Sequence, residues 1–209
     1  MLDNEKGVAV YLCGSNEHAS LCLPRLHGTA TPERLLALRS LYARCVGAGD
    51  GWSACATSGG VLYAWGRNEL PLPIGELPSG CSALACGPSK AYLLTDEGEV
   101  FVWRYATQAT APERVQLPVD VVQISCGGAH VMALSDNGVL FSWGRGTEGQ
   151  LGRSPPPASK DPSPKRVEGL ETTVVAVACG YAHSALVTAA GRLLGCGVCS
   201  CLALCVYYI

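Results

Sequence analysis

The chain has 209 residues, 48% of them hydrophobic, and a formal net charge of −2. That length admits one or two domains, and the composition is ordinary for a soluble protein. The balanced charge and the lack of any Lys/Arg run argue against a basic surface for nucleic acid. Twelve cysteines without a secretory leader point to a reducing compartment, so the expected location is intracellular, cytoplasmic or nuclear.

Met1 to Lys6 is polar. Gly7-Val8-Ala9-Val10-Tyr11-Leu12-Cys13-Gly14-Ser15-Asn16 then resembles Leu62-Tyr63-Ala64-Trp65-Gly66-Arg67-Asn68, with Cys13 in the tryptophan place. The chain is therefore expected to start with the closing strand of one sheet. Thr31–Cys45 carries two signals. Thr31-Pro32 is a good helix start, and Leu35, Leu38, Tyr42 and Cys45 fall at helical spacing. The phrase Thr31-Pro32-Glu33-Arg34-Leu35 also recurs as Ala111-Pro112-Glu113-Arg114-Val115 and as Ser163-Pro164-Lys165-Arg166-Val167, with a degraded copy from Pro71 to Leu77. Register with the other copies favours strands here.

Ile124 to Gly152 is the clearest stretch. Cys126-Gly127-Gly128 leads into the apolar run His130–Leu134, which is long enough for one buried strand. Asp136-Asn137-Gly138 is a tight-turn signal, because Asn and Gly tolerate positive φ. Val139–Trp143 is the return strand, and Gly144 to Gly152 is a glycine-rich loop. Ser154–Pro164 follows, SPPPASKDPSP, and is expected to form no ladder because proline lacks the donor. It reads as a solvated loop, with a phosphorylated or docking loop as the alternative.

The hairpin is repeated. Aligned on Trp65, Trp103, Trp143 and Cys196, the chain carries Gly49, Gly87, Gly127 and Gly180 at one shared offset and Gly60, Gly98, Gly138 and Gly191 at another. Between them one position holds Trp52, Lys90, His130 and His183. The period is about 40 residues, stretched in the last copy by the insert, which indicates a propeller or solenoid. Each unit holds about four short strands, the content of a propeller blade. The units run about 31–68, 71–104, 111–152 and 163–197, after an N-terminal segment 1–30 and before a tail 198–209.

The Cys-Gly-x-x-His/Ser-x-x-Ala-Leu run, the Asp-x-Gly-x-Leu/Val-Phe-x-Trp-Gly run and Gly149-Gln150-Leu151-Gly152 resemble the regulator of chromosome condensation (RCC-type) repeat family. The resemblance covers roughly Gly7 to Gly197. It implies an all-β fold of β-propeller blades, here about four units plus a leading half-blade against the family's seven. The family's founding member is a nucleotide exchange factor for the GTPase Ran and binds the nucleosome. The unit count and the abrupt change after Gly197 give the expectation of a truncated isoform or fragment of a longer protein.

No catalytic constellation emerges. A position that accepts Trp52, Lys90, His130 and His183 is structural, so no catalytic, cofactor or metal role is assigned to it. The structural repeat positions are Trp65, Trp103, Trp143, Gly87, Gly127, Gly180, His130, His183, Gly138 and Gly191. Cys196, Cys199, Cys201 and Cys205 crowd together without a second cluster or histidine pair, so no metal site is expected. Leu193–Ile209 is apolar but only at the bottom of the membrane-spanning range, so a membrane enters only if that tail is an anchor. The expected function is a non-catalytic protein-interaction or regulatory scaffold with an unknown protein partner on its loops. Guanine nucleotide exchange on a small Ran-like GTPase is the alternative, and chromatin binding ranks last because Met1–Lys6 is not basic.

Overall fold

The glycine-bounded apolar runs form strands in the computed structural model, which describes residues 9–198 except 19, 23–27, 40, 68, 106–110 and 158. The first sheet pairs β1 (Tyr11–Gly14) with β2 (Thr29–Arg34). The second runs in the order β3 (Ala43–Ala48), β4 (Trp52–Thr57), β5 (Val61–Gly66) and β6 (Glu69–Glu76). The third holds β7 (Cys81–Cys86), β8 (Lys90–Thr95), β9 (Val100–Arg104) and β10 (Glu113–Val115). The fourth holds β11 (Val121–Cys126), β12 (His130–Ser135), β13 (Leu140–Gly144) and β14 (Asp161–Arg166). The fifth has β15 (Val174–Cys179), β16 (His183–Thr188) and β17 (Leu193–Gly197). All the sheets are up-and-down meanders whose pairing is antiparallel. No α-helix occurs among the described residues, and none of their helices is long and apolar enough to cross a membrane.

Thr31–Cys45 resolves into a strand as far as Arg34, one 3-10 turn at Leu36–Leu38, and a strand from Ala43. The helical spacing of Leu35 and Leu38 has another cause. Both side chains enter one cluster with Val10, Cys55 and Trp65, while Tyr42 stays exposed.

The Pro-Glu-Arg phrase that opens each sequence unit is the last strand of the preceding sheet. Glu113–Val115 is β10, and Asp161–Arg166 pairs with β13 through Phe141↔Arg166 and Ser142↔Lys165. This corrects the expectation that Ser154–Pro164 forms no ladder, since its last four residues lie in β14. The physical reason is position. β14 is the edge strand of its sheet, where a proline's missing donor leaves no second neighbour unbonded. Pro71 and Pro73 are accommodated in the same way in β6, another edge strand.

A second regularity is absent from the sequence pattern. The first strand of each complete or nearly complete sheet slips register one residue after its start, at Ala43/Cys45, Cys81/Ala83, Val121/Gln123 and Val174/Ala176. Such a bulge bends the strand and raises its twist. In the second pair of sheets it turns Val122 and Val175 outward, where both are exposed.

The chain divides into two compact units, residues 1–96 with 101–113 and residues 97–100 with 114–209. Each keeps its core between successive sheets. In the first unit Trp52, Ala54, Leu62, Leu93 and Trp103 pack together. In the second, Met132, Leu134, Leu140, Val174, Val177 and Leu186 do so. All six residues of β4 and all six of β12 are buried, which is why the run from His130 to Leu134 reads as continuous and not as an alternation. Burial of Met132 and Leu134 stabilises the fold by about 1.5–3 kcal/mol each.

Candidate functional site

The repeat positions owe their residue types to one local arrangement. A side chain at the start of the second strand of a sheet folds back over the glycine three residues before it. The Gly127 N–H donates to the His130 carbonyl at 2.9 Å, and Gly180 and Gly49 repeat that bond to His183 and Trp52 at 2.9 and 2.8 Å. A Cβ on Gly49, Gly127 or Gly180 would run into the ring of Trp52, His130 or His183 respectively. The glycine is the space the ring needs. At the far end of the same strands Gly138 has φ +79° and Gly191 has φ +74°, a left-handed conformation that few side chains tolerate.

In the first unit the ring is Trp52. Its Nε1 donates to the Pro88 carbonyl at 3.1 Å. Trp103 and Tyr105 pack against it with centroids 5.8 and 5.2 Å away. Arg67 caps the group, lying 5.1 Å from the Tyr105 centroid while donating to the Pro88 carbonyl at 3.0 Å. Trp65 plays another part: its Nε1 donates to the Ser20 carbonyl at 2.8 Å and so ties down the segment between β1 and β2.

In the second unit the ring is His130, which is 1% exposed. Its Nε2 lies 2.8 Å from the Ser184 hydroxyl, which donates to the Gln150 carbonyl at 2.9 Å. Burial, with the neighbouring His183 charge second, pushes the imidazole down to about 4, so it is neutral at physiological pH. The Gly149-Gln150-Leu151-Gly152 loop is therefore part of the core. Leu151 is fully buried, its carbonyl accepts from Ser142 at 2.8 Å, and the Cys196 thiol faces the Gln150 carbonyl.

These bonds gather three loops at one end of the second unit's sheets. Gly128 N–H donates to the Tyr181 carbonyl at 3.0 Å, and Arg145 N–H to the Ala129 carbonyl at 2.8 Å. The exposed face of this loop end carries Tyr181 at 82% exposure, Thr147, and the Arg145–Glu148 ion pair at 3.1 Å. The Pro-rich insert leaves from it. Its base is clamped, since Lys165 and Arg153 both lie 2.9 Å from Asp161 and hold that carboxyl below the usual range. At the opposite end of the strands, Gly138, Arg166, Glu168, Glu171 and Thr173 line a shallow open cleft.

The structure thus separates the predicted positions. Gly127, Gly180, His130 and His183 stand at the loop end, and Gly138 and Gly191 at the opposite turns. Trp65, Trp103 and Trp143 are buried, and Gly87 closes its turn by an N–H bond to the Lys90 carbonyl at 2.8 Å. No group of three or more metal-ligating side chains occurs among the described residues. The Cys199, Cys201 and Cys205 reading and the tail-anchor reading fall on residues outside the described ones, apart from Leu193–Val198. Sequence reasoning missed Ser184 as the partner of His130, the Gln150 carbonyl as the acceptor for Ser184, and Gln123, whose amide exchanges bonds of 3.0 and 3.1 Å with Val177. Only the recurrence of polar residues inside apolar strands signalled them.

Residues 137–187 match the family model described as "Regulator of chromosome condensation (RCC1) repeat", and residues 121–150 match a second model of that description. This is an RCC1-type repeat protein. The human regulator of chromosome condensation is 36% identical over 114 residues, 47% of this chain and 27% of its own. Human probable E3 ubiquitin-protein ligase HERC6 is 30% identical over 211 residues, 92% of this chain and 16% of its own. Ras guanine nucleotide exchange factor C of Dictyostelium discoideum is 30% identical over 122 residues, 45% of this chain and 8% of its own. Among solved structures, human WBSCR16 superposes with a TM-score of 0.79 at 20% identity, covering 91% of this chain and 61% of that one. Prp20p of Saccharomyces cerevisiae does so with a TM-score of 0.74 at 22% identity, covering 92% and 53%. These likenesses establish the fold of the RCC1-type repeat protein as that of RCC1 β-propellers. The chain spans 8 to 27% of the length of these curated relatives.

Proposed function

We propose that this chain is a protein-interaction module, a rigid set of RCC1-type blades that offers the loop end around Arg145–Glu148, Tyr181 and the Pro-rich insert to a protein partner. The observation that carries this reading is the range of its relatives. Proteins named as a Ras guanine nucleotide exchange factor, a regulator of chromosome condensation and a probable E3 ubiquitin-protein ligase match 45%, 47% and 92% of this chain respectively. Likeness to three differently named proteins fits a binding scaffold better than a reaction centre. The residues agree, because both repeat histidines are committed to packing over glycine.

The second reading is guanine nucleotide exchange on a small GTPase, favoured by the Ras exchange factor among the relatives. An exchange element must enter the nucleotide site. Asp161, the acidic residue of the insert, is instead held by Arg153 and Lys165.

A photo-crosslinking residue at Thr147 is expected to label a discrete protein in cell extract, and one at Glu171, at the opposite end of the same unit, is not. Equal labelling from both positions would remove the assignment to this loop end. In parallel, nucleotide release from Ran-type and Ras-type GTPases is followed with micromolar chain. Acceleration would establish the exchange reading in place of a passive scaffold.

A further inference from the structure

We propose that Cys45 and Cys81 are an oxidant-responsive thiol pair that closes into a disulfide joining the sheets β3–β6 and β7–β10. Their sulfurs lie 3.4 Å apart, although the residues are 36 apart in sequence. Both sit on the first strands of sheets in the first unit, Cys81 inside its apolar cluster and Cys45 packed against it. A disulfide needs the sulfurs at about 2.05 Å, so the approach required is about 1.4 Å, within reach of side-chain rotation. The repeat itself does not call for thiols here. The matching position to Cys45 in the second unit is Gln123, which spans to the next sheet by amide hydrogen bonds.

The two sulfurs differ in access, Cys45 being half-buried and Cys81 fully buried, so an oxidant reaches Cys45 first. Cys45 is half-buried, and the Cys81 thiol beside it lowers its pKa, with the Arg44 guanidinium acting in the same direction. Cys81 is fully buried, and the same contact together with burial raises its pKa. Cys55, buried in the same sheet, is pushed up to about 12 by burial. Cys45 is the attacking thiolate and Cys81 the resolving thiol. With a hydroperoxide as oxidant, the Cys45 thiolate breaks the O–O bond. It takes up the terminal oxygen as sulfenic acid, and water or an alcohol leaves. The Cys81 sulfur then displaces the sulfenic oxygen. The S–S bond forms, and the Cys81 proton leaves with that oxygen as water. Two thiols lose two electrons and the peroxide gains them. A dithiol reductant restores both thiols by exchange.

The test uses the full chain with stoichiometric hydrogen peroxide, alkylation of remaining thiols, and tryptic mass spectrometry. The expected product joins the peptide beginning at Cys45 to the one containing Cys81, with fragment ions excluding Cys55 and Cys86, and dithiothreitol reverses it. The oxidised chain is expected to melt about 5–10 °C higher. Cys81→Ser should stop at a dimedone-reactive Cys45, and Cys45→Ser should give neither product. The wild-type peptide map needs no variant to fold. Peroxide consumed only at other cysteines, such as exposed Cys13, or Cys45 and Cys81 modified without a link between them, would overturn the proposal.

Discussion

The two units solve the same packing problem with different chemistry. Between β3–β6 and β7–β10 the gap between the sheets is filled by carbon and sulfur: Trp52, Trp103, Tyr105 and the Cys45–Cys81 pair. Between β11–β14 and β15–β17 the corresponding space is filled by His130, Ser184, the Gln150 backbone and the Gln123 amide. Where Trp103 stands in the first unit, Cys196 stands in the second, and the Gly-Gln-Leu-Gly loop supplies the volume the smaller residue leaves. The backbone tolerates the exchange because the shared requirement is the glycine under the ring and not the ring itself.

Trp52→His puts the second unit's ring into the first, and it is the most disruptive test of that comparison. Ala91 stands where Ser184 does, so the hydroxyl that His130 uses is missing here, and the smaller ring leaves a cavity beside Trp103. A loss of about 3–4 kcal/mol is expected in urea unfolding. Gly49→Ala and Gly127→Ala probe what the units share. Each new Cβ meets a ring and a backbone carbonyl, and each variant should lose about 2–3 kcal/mol. If only one of the two were damaging, the common requirement would fail.

The pH dependence separates the units. His130 titrates at about 4 when folded against an ordinary 6.5, so the unfolded chain binds its proton first as pH falls. Its contribution is complete above pH 6.5 and declines toward pH 4, with a slope of at most about 1.4 kcal/mol per pH unit. Denaturation midpoints measured across that range should flatten in His130→Gln. A smaller effect is expected for Ser184→Ala, which removes the hydroxyl between His130 and the Gln150 carbonyl and should cost about 1–2 kcal/mol. Arg145→Ala breaks an exposed ion pair and should change stability by under about 0.5 kcal/mol, making it a clean variant for partner studies.

Much of this was legible in the residues. Glycines at constant offsets from Trp65, Trp103 and Trp143 marked the period, and the run His130–Leu134 marked a buried strand. The phase was not. A repeating sequence defines its period from any starting point, and only pairing reveals that Pro112-Glu113-Arg114-Val115 closes the sheet before it. The bulges after Ala43, Cys81, Val121 and Val174 were hidden for a related reason, since they arise from register with a neighbouring strand and carry no residue signature. The expectation of a structural role for His130 rested on Trp52 and Lys90 sharing its position. Its partner Ser184 was not legible, because it lies 54 residues away.

The borrowed fourth strand has a practical corollary for dissection. Cutting the chain after residue 68, 104 or 152, where the sequence units end, would strip a sheet of its outer strand and leave that strand on the following piece. The clean joints fall after Glu76, Val115 and Arg166, so a library of excised or shuffled blades should be spliced there.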